Sequence, residues 1–255
     1  YNILIILLLP LILLVLIIKN RRKFDFGFIK SIPCRIFAVP AELRPVGNPD
    51  TFWLHCSSLG EAKICYALAA RLGKLLPSGR FAISVVTKTA YEWLNAKREG
   101  DFKFTVFYAP FDIYFTVSKY MEALNPRMLL IVETEIWPNL VRCARMKGAL
   151  VCLVNARISD KNFHIMEKFR FFFKYVLKYF NFFLARSGTD SQRLIALGAD
   201  SDCVVVTGNM KYDIEETLAV EESKDEILKY FGIENGRKIV AAGSIRDREF
   251  QLVID

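Results

Sequence analysis

The sequence predicts an α/β domain whose parallel sheet is covered by helices on both faces. Short runs rich in β-branched and aromatic residues recur at 51–57, 81–87, 104–109, 128–133, 150–155, 182–186 and 203–207. Segments with helical periodicity lie between them, at 61–74, 90–97, 112–124, 140–147, 162–179 and 189–197. The strand runs are apolar on both faces, which is typical of parallel strands buried beneath helices.

Composition locates an unusual segment at the start of the chain. The 255 residues are 53% hydrophobic and carry a formal net charge of +8. Residues 3–18 contain only Ile, Leu, Val and one proline, and the basic cluster Lys19-Asn20-Arg21-Arg22-Lys23 follows at once. The remainder has ordinary globular composition, which excludes a disordered, collagen-like or coiled-coil chain. A polytopic membrane protein is disfavoured, because no second uncharged run approaches the roughly 20 residues that a spanning helix needs.

Three interpretations compete for this leading segment: a cleaved signal peptide, an uncleaved anchor and a buried core helix. A signal peptide places its positive charges before the apolar run and a small-residue cleavage site after it, the reverse of the order here. The positive-inside rule places the basic cluster, and the chain that follows it, on the cytoplasmic side. We therefore expect residues 1–23 to form a membrane anchor with a basic flank.

The body of the chain divides into three further parts. Residues 24–213 hold the regular alternation of strands and helices and are predicted to form one domain. Residues 214–236 are charged and helical, as in a connector between domains. The run 238–244 resembles a new strand ending in a glycine turn, so we expect 237–255 to begin a second domain that is cut off after that strand.

Polar residues cluster where the predicted strands end. Parallel sheets bind ligands beyond the carboxyl ends of their strands, so four polar strand exits at one sheet edge favour a site over isolated turn chemistry. The candidates are Ser58, Gly60 and Glu61 after the first strand, Glu133 and Glu135 after the fourth, Asn155 and Arg157 after the fifth, and Asn209 and Lys211 after the seventh. A helix N-terminus favours a carboxylate at Glu61, which could act as a base or simply complement the helix dipole.

Other chemistries find little support in the sequence. The two histidines, His55 and His164, are too few and too far apart to indicate a metal site, and the six cysteines form no CxxC pair. The cysteine pattern therefore favours a reducing compartment. Neither a GxSxG elbow, nor a Walker loop, nor a GxGxxG turn is present, which disfavours a serine hydrolase and these nucleotide-binding folds.

The stretch 163–186 interleaves ten aromatic residues with five basic ones. Such a pattern can cover a sheet with snorkelling edges, lie on anionic lipid or stack nucleic-acid bases. A helix in an α/β domain most often simply covers the sheet, so this is the default interpretation. A membrane anchor in the same chain makes contact with anionic lipid more plausible. Nucleic acid is the weakest interpretation, because no recognition module is present.

Taken together, six motifs resemble the 3-deoxy-D-manno-octulosonic acid (Kdo) transferases of lipid A biosynthesis, which are membrane-anchored GT-B glycosyltransferases. The motifs are His55-x-x-Ser58-x-Gly60-Glu61, Tyr108-Ala109-Pro110-Phe111-Asp112, Glu133-Thr134-Glu135-Ile136-Trp137-Pro138-Asn139, Asn155-Ala156-Arg157-Ile158-Ser159, Leu197-Gly198-Ala199 and Gly208-Asn209-Met210-Lys211-Tyr212-Asp213. They keep the order of the family across roughly 52–213. The resemblance implies a Rossmann-like acceptor-binding domain, an anchor, and a truncated donor-binding domain.

The resemblance also implies a reaction: transfer of Kdo from CMP-Kdo to a hydroxyl of the lipid A precursor, with inversion, at the cytoplasmic face of the inner membrane. Glu61 would be the general base, and no metal or cofactor is required. The implied substrate-binding residues are Ser58, Gly60, Asp112, Glu133, Glu135, Asn155, Arg157, Asn209 and Lys211, with Ser244 and Arg246 from the second domain. The stretch 243–249 keeps Ser244, Arg246 and Glu249 but lacks a glycine of the family pattern.

Two alternatives stay open from the sequence. The first is a GT-B enzyme that uses another nucleotide sugar or another lipid. The second is a membrane-associated lipid-binding module without catalytic activity, since most donor contacts of the family lie in the second domain. For the same reason, we expect the chain by itself not to transfer sugar.

Overall fold

The computed structural model describes residues 1, 32–33, 35–36, 39–44, 50–100, 102–213 and 232. The chain divides into two compact units, Tyr1–Thr217 and Leu218–Asp255. The predicted anchor run 3–18, nearly all of the connector 214–236, and Ser244 and Arg246 lie outside the described residues. Within the described ranges, no helix combines the length and apolar character that crossing a bilayer requires.

Seven parallel strands form one sheet in the first unit, which confirms the predicted α/β class and each of the seven predicted strands. The strands are β1 (Thr51–Cys56), β2 (Arg80–Val85), β3 (Thr105–Tyr108), β4 (Pro126–Val132), β5 (Leu150–Ala156), β6 (Phe182–Ala185) and β7 (Val204–Val206). Their order across the sheet is β3-β2-β1-β4-β5-β6-β7. All six pairings are parallel, as the uniformly apolar strands require.

Between Leu59 and Leu197, seven helices connect and cover the strands. They are α1 (Leu59–Leu75), α2 (Lys88–Ala96), α3 (Tyr114–Leu124), α4 (Pro138–Met146), α5 (Asp160–Lys168), α6 (Arg170–Leu177) and α7 (Gly188–Leu197). Each of α1, α2, α3, α4, α5 and α7 begins after a strand has ended, so their N-termini lie along the carboxyl edge of the sheet. This is the edge at which the sequence placed its polar exits.

The single helix predicted over 162–179 is wrong, because the chain forms two helices there. Phe169 has φ −109° and ψ 30°, which leaves the helical region and ends α5. The break re-aims the chain, so that Met166 of α5 and Val176 and Leu177 of α6 are all buried in the same core. Packing of the two apolar faces against one sheet therefore overrides the continuous helical periodicity of the sequence.

Strand β1, which lies between β2 and β4, is buried along its whole length and carries a polar network inside the core. The Trp53 indole N–H donates to Ser84 Oγ at 2.8 Å, and His55 Nδ1 lies 2.9 Å from the same hydroxyl oxygen. The edge of the His55 ring faces the ring of Trp137, with centroids 4.8 Å apart. These contacts tie β1 to β2 and to the segment that follows β4.

The strand order reverses between β1 and β4, which are hydrogen-bonded neighbours in the sheet. In open α/β sheets such a reversal leaves a crevice at the carboxyl edge, because the helices on the two sides diverge to opposite faces. The exits of β1 and β4 carry Glu61, Glu133 and Glu135, so the topology brings three carboxylates to this one crevice.

Candidate functional site

The turn after β1 fixes the carboxylate of Glu61 at the N-terminus of α1. The backbone N–H of Ser57 donates to Glu61 Oε2 at 2.7 Å, and the Ser58 hydroxyl donates to Oε1, also at 2.7 Å. Ser58 is the N-cap, and its Oγ accepts from the Glu61 backbone N–H at 3.4 Å. This is a variant of the capping box in which the N–H of Ser57 replaces that of the N-cap residue, and it locks the Glu61 side chain without using all of its lone pairs.

Gly60 leaves the backbone of this turn open. A Cβ built on Gly60 would contact only Ser58 Oγ, at 3.9 Å, so the fold itself has room for a side chain at this position. A glycine in a helix costs about 1 kcal/mol relative to alanine. The exposed backbone beside Glu61 is therefore available to a ligand.

The turn after β4 is strained at its first residue. Glu133 has φ 60°, in the left-handed region, and its N–H donates to Val154 O at 2.9 Å. A non-glycine residue held in this region costs on the order of 1–3 kcal/mol, and such residues cluster at functional sites. The next residue, Thr134, donates its hydroxyl to the backbone carbonyl of Arg157 and so ties the β4 exit to the β5 exit.

The exits of β5 and β7 are joined to the same region. Asn155 is buried, with φ 52°, and its Oδ1 accepts from the backbone N–H of Met210 at 3.1 Å. Asn209 Oδ1 accepts from the backbone N–H of Lys211 at 3.2 Å, and Lys211 Nζ lies 3.1 Å from Glu133 Oε1. Because β4 and β7 are not neighbours in the sheet, this ion pair is a contact that only the folded chain creates.

An open cavity of about 310 Å³ lies at this edge. It is lined by Glu61, Glu133, Thr134, Glu135, Arg157, Ser159 and Asn162. Four of the predicted site residues therefore line one space, three of them carboxylates and one a guanidinium. The arrangement can hold a polar ligand between an acidic wall and a single cation.

Four other predicted residues support the cavity rather than line it. Ser58 holds Glu61, Asn155 and Asn209 shape the turn after β7, and Lys211 pairs with Glu133. Sequence reasoning did not select Thr134, Ser159 or Asn162 as site residues. Thr134 and Ser159 belong to the exit motifs, whereas Asn162 is identified only by the start of α5, where Ser159 Oγ accepts from its N–H at 3.3 Å.

The clustering of carboxylates affects Glu135 most clearly. Burial raises its pKa above the ordinary value of 4.5, while a hydrogen bond from the Trp137 indole N–H, 3.0 Å to Oε2, opposes the rise. The charges of Glu61 and Glu133 raise the pKa further. In the described part of the chain, no group of three or more His, Cys, Asp or Glu side chains is arranged to hold a metal ion.

Asp112 lies elsewhere. Its Oδ2 accepts from the backbone N–H of Asn139 at 3.0 Å and its Oδ1 from that of Leu140 at 2.8 Å. These are free N–H groups in the first turn of α4, so Asp112 caps that helix from a distant point in the sequence. It is not among the residues that line the cavity. Its predicted contact with substrate therefore gains no support from the geometry.

Replacing Asp112 by alanine is expected to lower the free energy of unfolding by about 1–2 kcal/mol, the loss typical of a missing helix cap. Urea unfolding followed by tryptophan fluorescence measures this, with Asp202→Ala, at an exposed position, as the matched control. A full-length Asp112→Ala protein with unchanged stability and a raised KM would show instead that Asp112 binds substrate.

Comparison with known proteins identifies the family. The family model for 3-deoxy-D-manno-octulosonic-acid transferase (kdotransferase) matches residues 26–214, which include the whole seven-stranded sheet. The chain belongs to the Kdo transferase family. The resemblance drawn from the six motifs is thereby confirmed, and with it membership in a family of glycosyltransferases.

Individual relatives of this Kdo transferase family member agree. The chain is 30% identical over 206 residues to a 3-deoxy-D-manno-octulosonic acid transferase of Rickettsia felis, covering 79% of this chain and 42% of that protein. It is 32% identical over 208 residues to a bifunctional glycosyltransferase/methyltransferase of Fusobacterium nucleatum, covering 82% of this chain and 32% of that protein. The chain thus spans less than half the length of these curated relatives.

Solved structures support the fold alone. The UDP-GlcNAc 2-epimerase of Neisseria meningitidis, bound to UDP-GlcNAc, superposes with a TM-score of 0.53 at 16% identity. The alignment covers 71% of this Kdo transferase family member and 54% of the epimerase. A putative UDP-N-acetylglucosamine 2-epimerase of Listeria monocytogenes gives a TM-score of 0.54 at 15% identity, over 73% of this chain and 52% of that one.

Proposed function

We propose that the protein containing this chain transfers Kdo from CMP-Kdo to a hydroxyl of the lipid A precursor, with inversion at the sugar. The observation that carries the proposal is the cavity at the β1/β4 crevice, where the carboxylates of Glu61, Glu133 and Glu135 face Arg157. Family membership adds the class of sugar. The acceptor domain is 24–213, and a second domain beginning near residue 237 supplies most contacts to the donor.

Inversion by a single displacement makes specific demands on the acceptor side. The acceptor hydroxyl oxygen forms a bond to the anomeric carbon while the bond from that carbon to the phosphate oxygen of CMP breaks. The hydroxyl proton must pass to a base within hydrogen-bond reach. Glu61 fits this role, because the capping box holds its carboxylate at the cavity wall, at the N-terminus of α1.

The remaining polar groups can bind the anions of the reaction. The exposed Arg157 is the cation that lines the cavity, and a guanidinium can bind a phosphate with two parallel hydrogen bonds. Lys211 is held at the rim by Glu133. We assign Arg157 and Lys211 to the phosphates of the lipid acceptor or the departing CMP, with Ser244 and Arg246 contributing from the second domain. Glu135 and Thr134 would contact sugar hydroxyls.

The lipid acceptor implies that the protein works at a membrane surface. We propose that it works at the cytoplasmic face of the inner membrane, held by the apolar run 3–18 and its basic flank. The apolar acyl chains of the acceptor stay in the bilayer, so the cavity must reach the headgroups. The net charge of +8 favours approach to an anionic surface of this kind.

A donor panel tests the proposal. Full-length protein supplied with the lipid A precursor is expected to turn over with CMP-Kdo and not with UDP-sugars, and a reaction without acceptor serves as the control. Turnover with a UDP-sugar alone would favour a different GT-B lipid glycosyltransferase. Binding of the lipid with no turnover on any donor would favour a non-catalytic lipid-binding module.

A further inference from the structure

Helices α3, α4 and α6 share one exposed surface, and none of its residues lines the cavity. α3 packs against α4, and α4 packs against α6. Arg142 of α4 connects the three, because its guanidinium lies 5.9 Å from the ring of Tyr114 at the start of α3 and its charge also reaches Tyr175 and Tyr179 beside α6. The surface is thus continuous across helices that are far apart in the sequence.

Large aromatic rings on this surface are open to water. Phe171 is 78% exposed and Phe115 is 61% exposed, and Tyr175, one turn beyond Phe171 on the same face of α6, is 48% exposed. Single exposed hydrophobic residues are ordinary, but a contiguous apolar patch marks a binding surface. Covering these rings would remove apolar surface from water, which is favourable.

Cations stand beside these rings. Lys119 Nζ lies 4.1 Å from the ring centroid of Phe115, and Lys178 Nζ lies 4.0 Å from that of Tyr175. Within the described residues, neither these two lysines nor Arg142 forms an ion pair with a carboxylate, and the exposed Glu122 of α3 is paired with Lys147. The surface therefore combines exposed aromatic rings with an excess of positive charge.

We propose that the docking face, defined as Phe115, Lys119, Arg142, Phe171, Tyr175 and Lys178, lies on an anionic lipid bilayer. Phenylalanine rings insert at the boundary between headgroups and acyl chains, and tyrosine rings settle at the membrane–water interface. Lysine and arginine beside them contact lipid phosphates. A protein partner would need carboxylates set against each cation, and stacking of nucleic-acid bases needs a groove rather than the outer surface of a helical layer. Charge complementarity and the row of rings together favour lipid.

The position of the docking face relative to the cavity suits this occupant. Phe115 lies in the first turn of α3, which starts at the carboxyl edge of the sheet, where the cavity opens, and Arg142 lies at the middle of α4. Lipid contact at this end would hold the cavity rim close to the headgroups. In this respect the inference rests on the proposed function, since it supplies the route by which a membrane-held acceptor reaches Glu61.

The test must separate the docking face from the predicted anchor, which would itself bind vesicles. We would attach an environment-sensitive fluorophore to Phe171→Cys, in a full chain in which Cys34 and Cys203 are serine. The matched control is the same label on Leu75→Cys, which is 76% exposed at the end of α1. α1 belongs to the β1–β2 crossover, and because crossovers are right-handed it covers the opposite face of the sheet from α4.

With phosphatidylglycerol-containing vesicles, the label at position 171 is expected to brighten several-fold and shift to the blue, and the label at 75 to stay unchanged. Adding Lys119→Gln and Lys178→Gln should weaken the response about fivefold for each charge removed, and high salt should weaken it further. Equal urea midpoints for all labelled proteins establish that the variants fold.

Three results would overturn the proposal. They are an unchanged label at 171, an equal response on neutral phosphatidylcholine vesicles, and a response without lipid that grows with protein concentration and so indicates a second copy. The donor panel is scored independently of these measurements. If the labelled protein responds to vesicles but transfers no Kdo, the docking face stands and the proposed function is refuted. If it transfers Kdo normally but the label at 171 does not respond, the proposed function stands and the docking face is refuted.

Discussion

Replacing Glu61 by glutamine in the full-length protein is expected to lower kcat for transfer by about 10²- to 10⁴-fold, the range typical of a lost general base. Glutamine keeps the size of the side chain and one acceptor oxygen, but its amide cannot take a proton from the acceptor hydroxyl. Binding of donor and acceptor should change little, because the phosphate-binding cations Arg157 and Lys211 remain. The loss should therefore appear in kcat rather than in KM.

Because Glu61 also belongs to the capping box, a loss of activity in the glutamine variant could come from a loss of stability, and the same variant tests this explanation. Both carboxylate oxygens of Glu61 accept hydrogen bonds from the turn, so the glutamine variant is expected to lose about 1 kcal/mol of stability. That loss cannot account for a thousandfold change in rate in a protein that is still folded at the assay temperature. Glu167→Gln, at an exposed position of α5, is the matched control and should retain full activity.

Glu133 and Glu135 are the alternative candidates for the general base. Both line the same cavity, and burial raises the pKa of Glu135. If Glu135→Gln abolished transfer while Glu61→Gln retained the wild-type rate, the base would be Glu135 and the capping box would be purely structural. Measuring kcat for all three glutamine variants on one preparation separates these outcomes.

Lowering the pH from 7 to 5 is expected to remove about 2 kcal/mol from the free energy of unfolding through His55 alone. Burial, and next the charge of Arg35, lower the pKa of this histidine from 6.5 to about 3. Below pH 6.5 the unfolded chain therefore binds a proton that the folded chain rejects. Stability is fully present above pH 6.5 and declines progressively as the pH falls toward 3.

The surroundings of His55 give the reason. Ser84 Oγ already accepts from Trp53, so its own proton can go to His55 Nδ1, which favours a neutral ring. Among the described residues, no hydrogen-bond partner faces His55 Nε2, and the ring edge packs against Trp137. An added charge would thus be buried without a counter-charge, which is costly.

Urea unfolding at several pH values measures the effect through the fluorescence of the three tryptophans, all of which lie in the first unit. His55→Gln does not titrate, so the difference in stability between wild type and this variant should shrink by about 2 kcal/mol from pH 7 to pH 5. His164→Gln, at the only other histidine, is exposed and should follow the wild-type curve. A difference that stays constant with pH would show that the folded chain protonates His55 as readily as the unfolded chain does.

Much of the fold could be predicted because its determinants are local. Each strand that is apolar on both faces, such as 128–133, must be buried between two helical layers wherever it lies, so the alternation of elements implied a parallel sheet. The order of polar exits then followed from topology, since every parallel strand ends at the same edge. The placement of Glu61, Glu133, Glu135 and Arg157 at one edge follows from the sequence in this way, and all four line the cavity.

Contacts between distant segments could not be predicted in the same way. The residues around Asp112 in the sequence do not show whether it binds a ligand or caps a helix. The N–H groups that it binds belong to Asn139 and Leu140, which are far away in the sequence. The pairing of Lys211 with Glu133 depends on how far two non-adjacent strands extend beyond the sheet. The break at Phe169 arises from packing against the core, which periodicity alone does not contain.

The sequence by itself determined the seven-stranded α/β class, the edge at which polar groups gather and the family to which the chain belongs. These depend on residue types in short windows, and each window retains its meaning wherever the fold places it. Only the tertiary structure decided which of the predicted residues share the cavity, which of them cap helices, and that α3, α4 and α6 form one aromatic and basic surface. Most of those outcomes depend on distances between side chains that are far apart in the sequence, such as Asp112 and Leu140 or Glu133 and Lys211. Chain connectivity does not specify such distances, whereas close packing does.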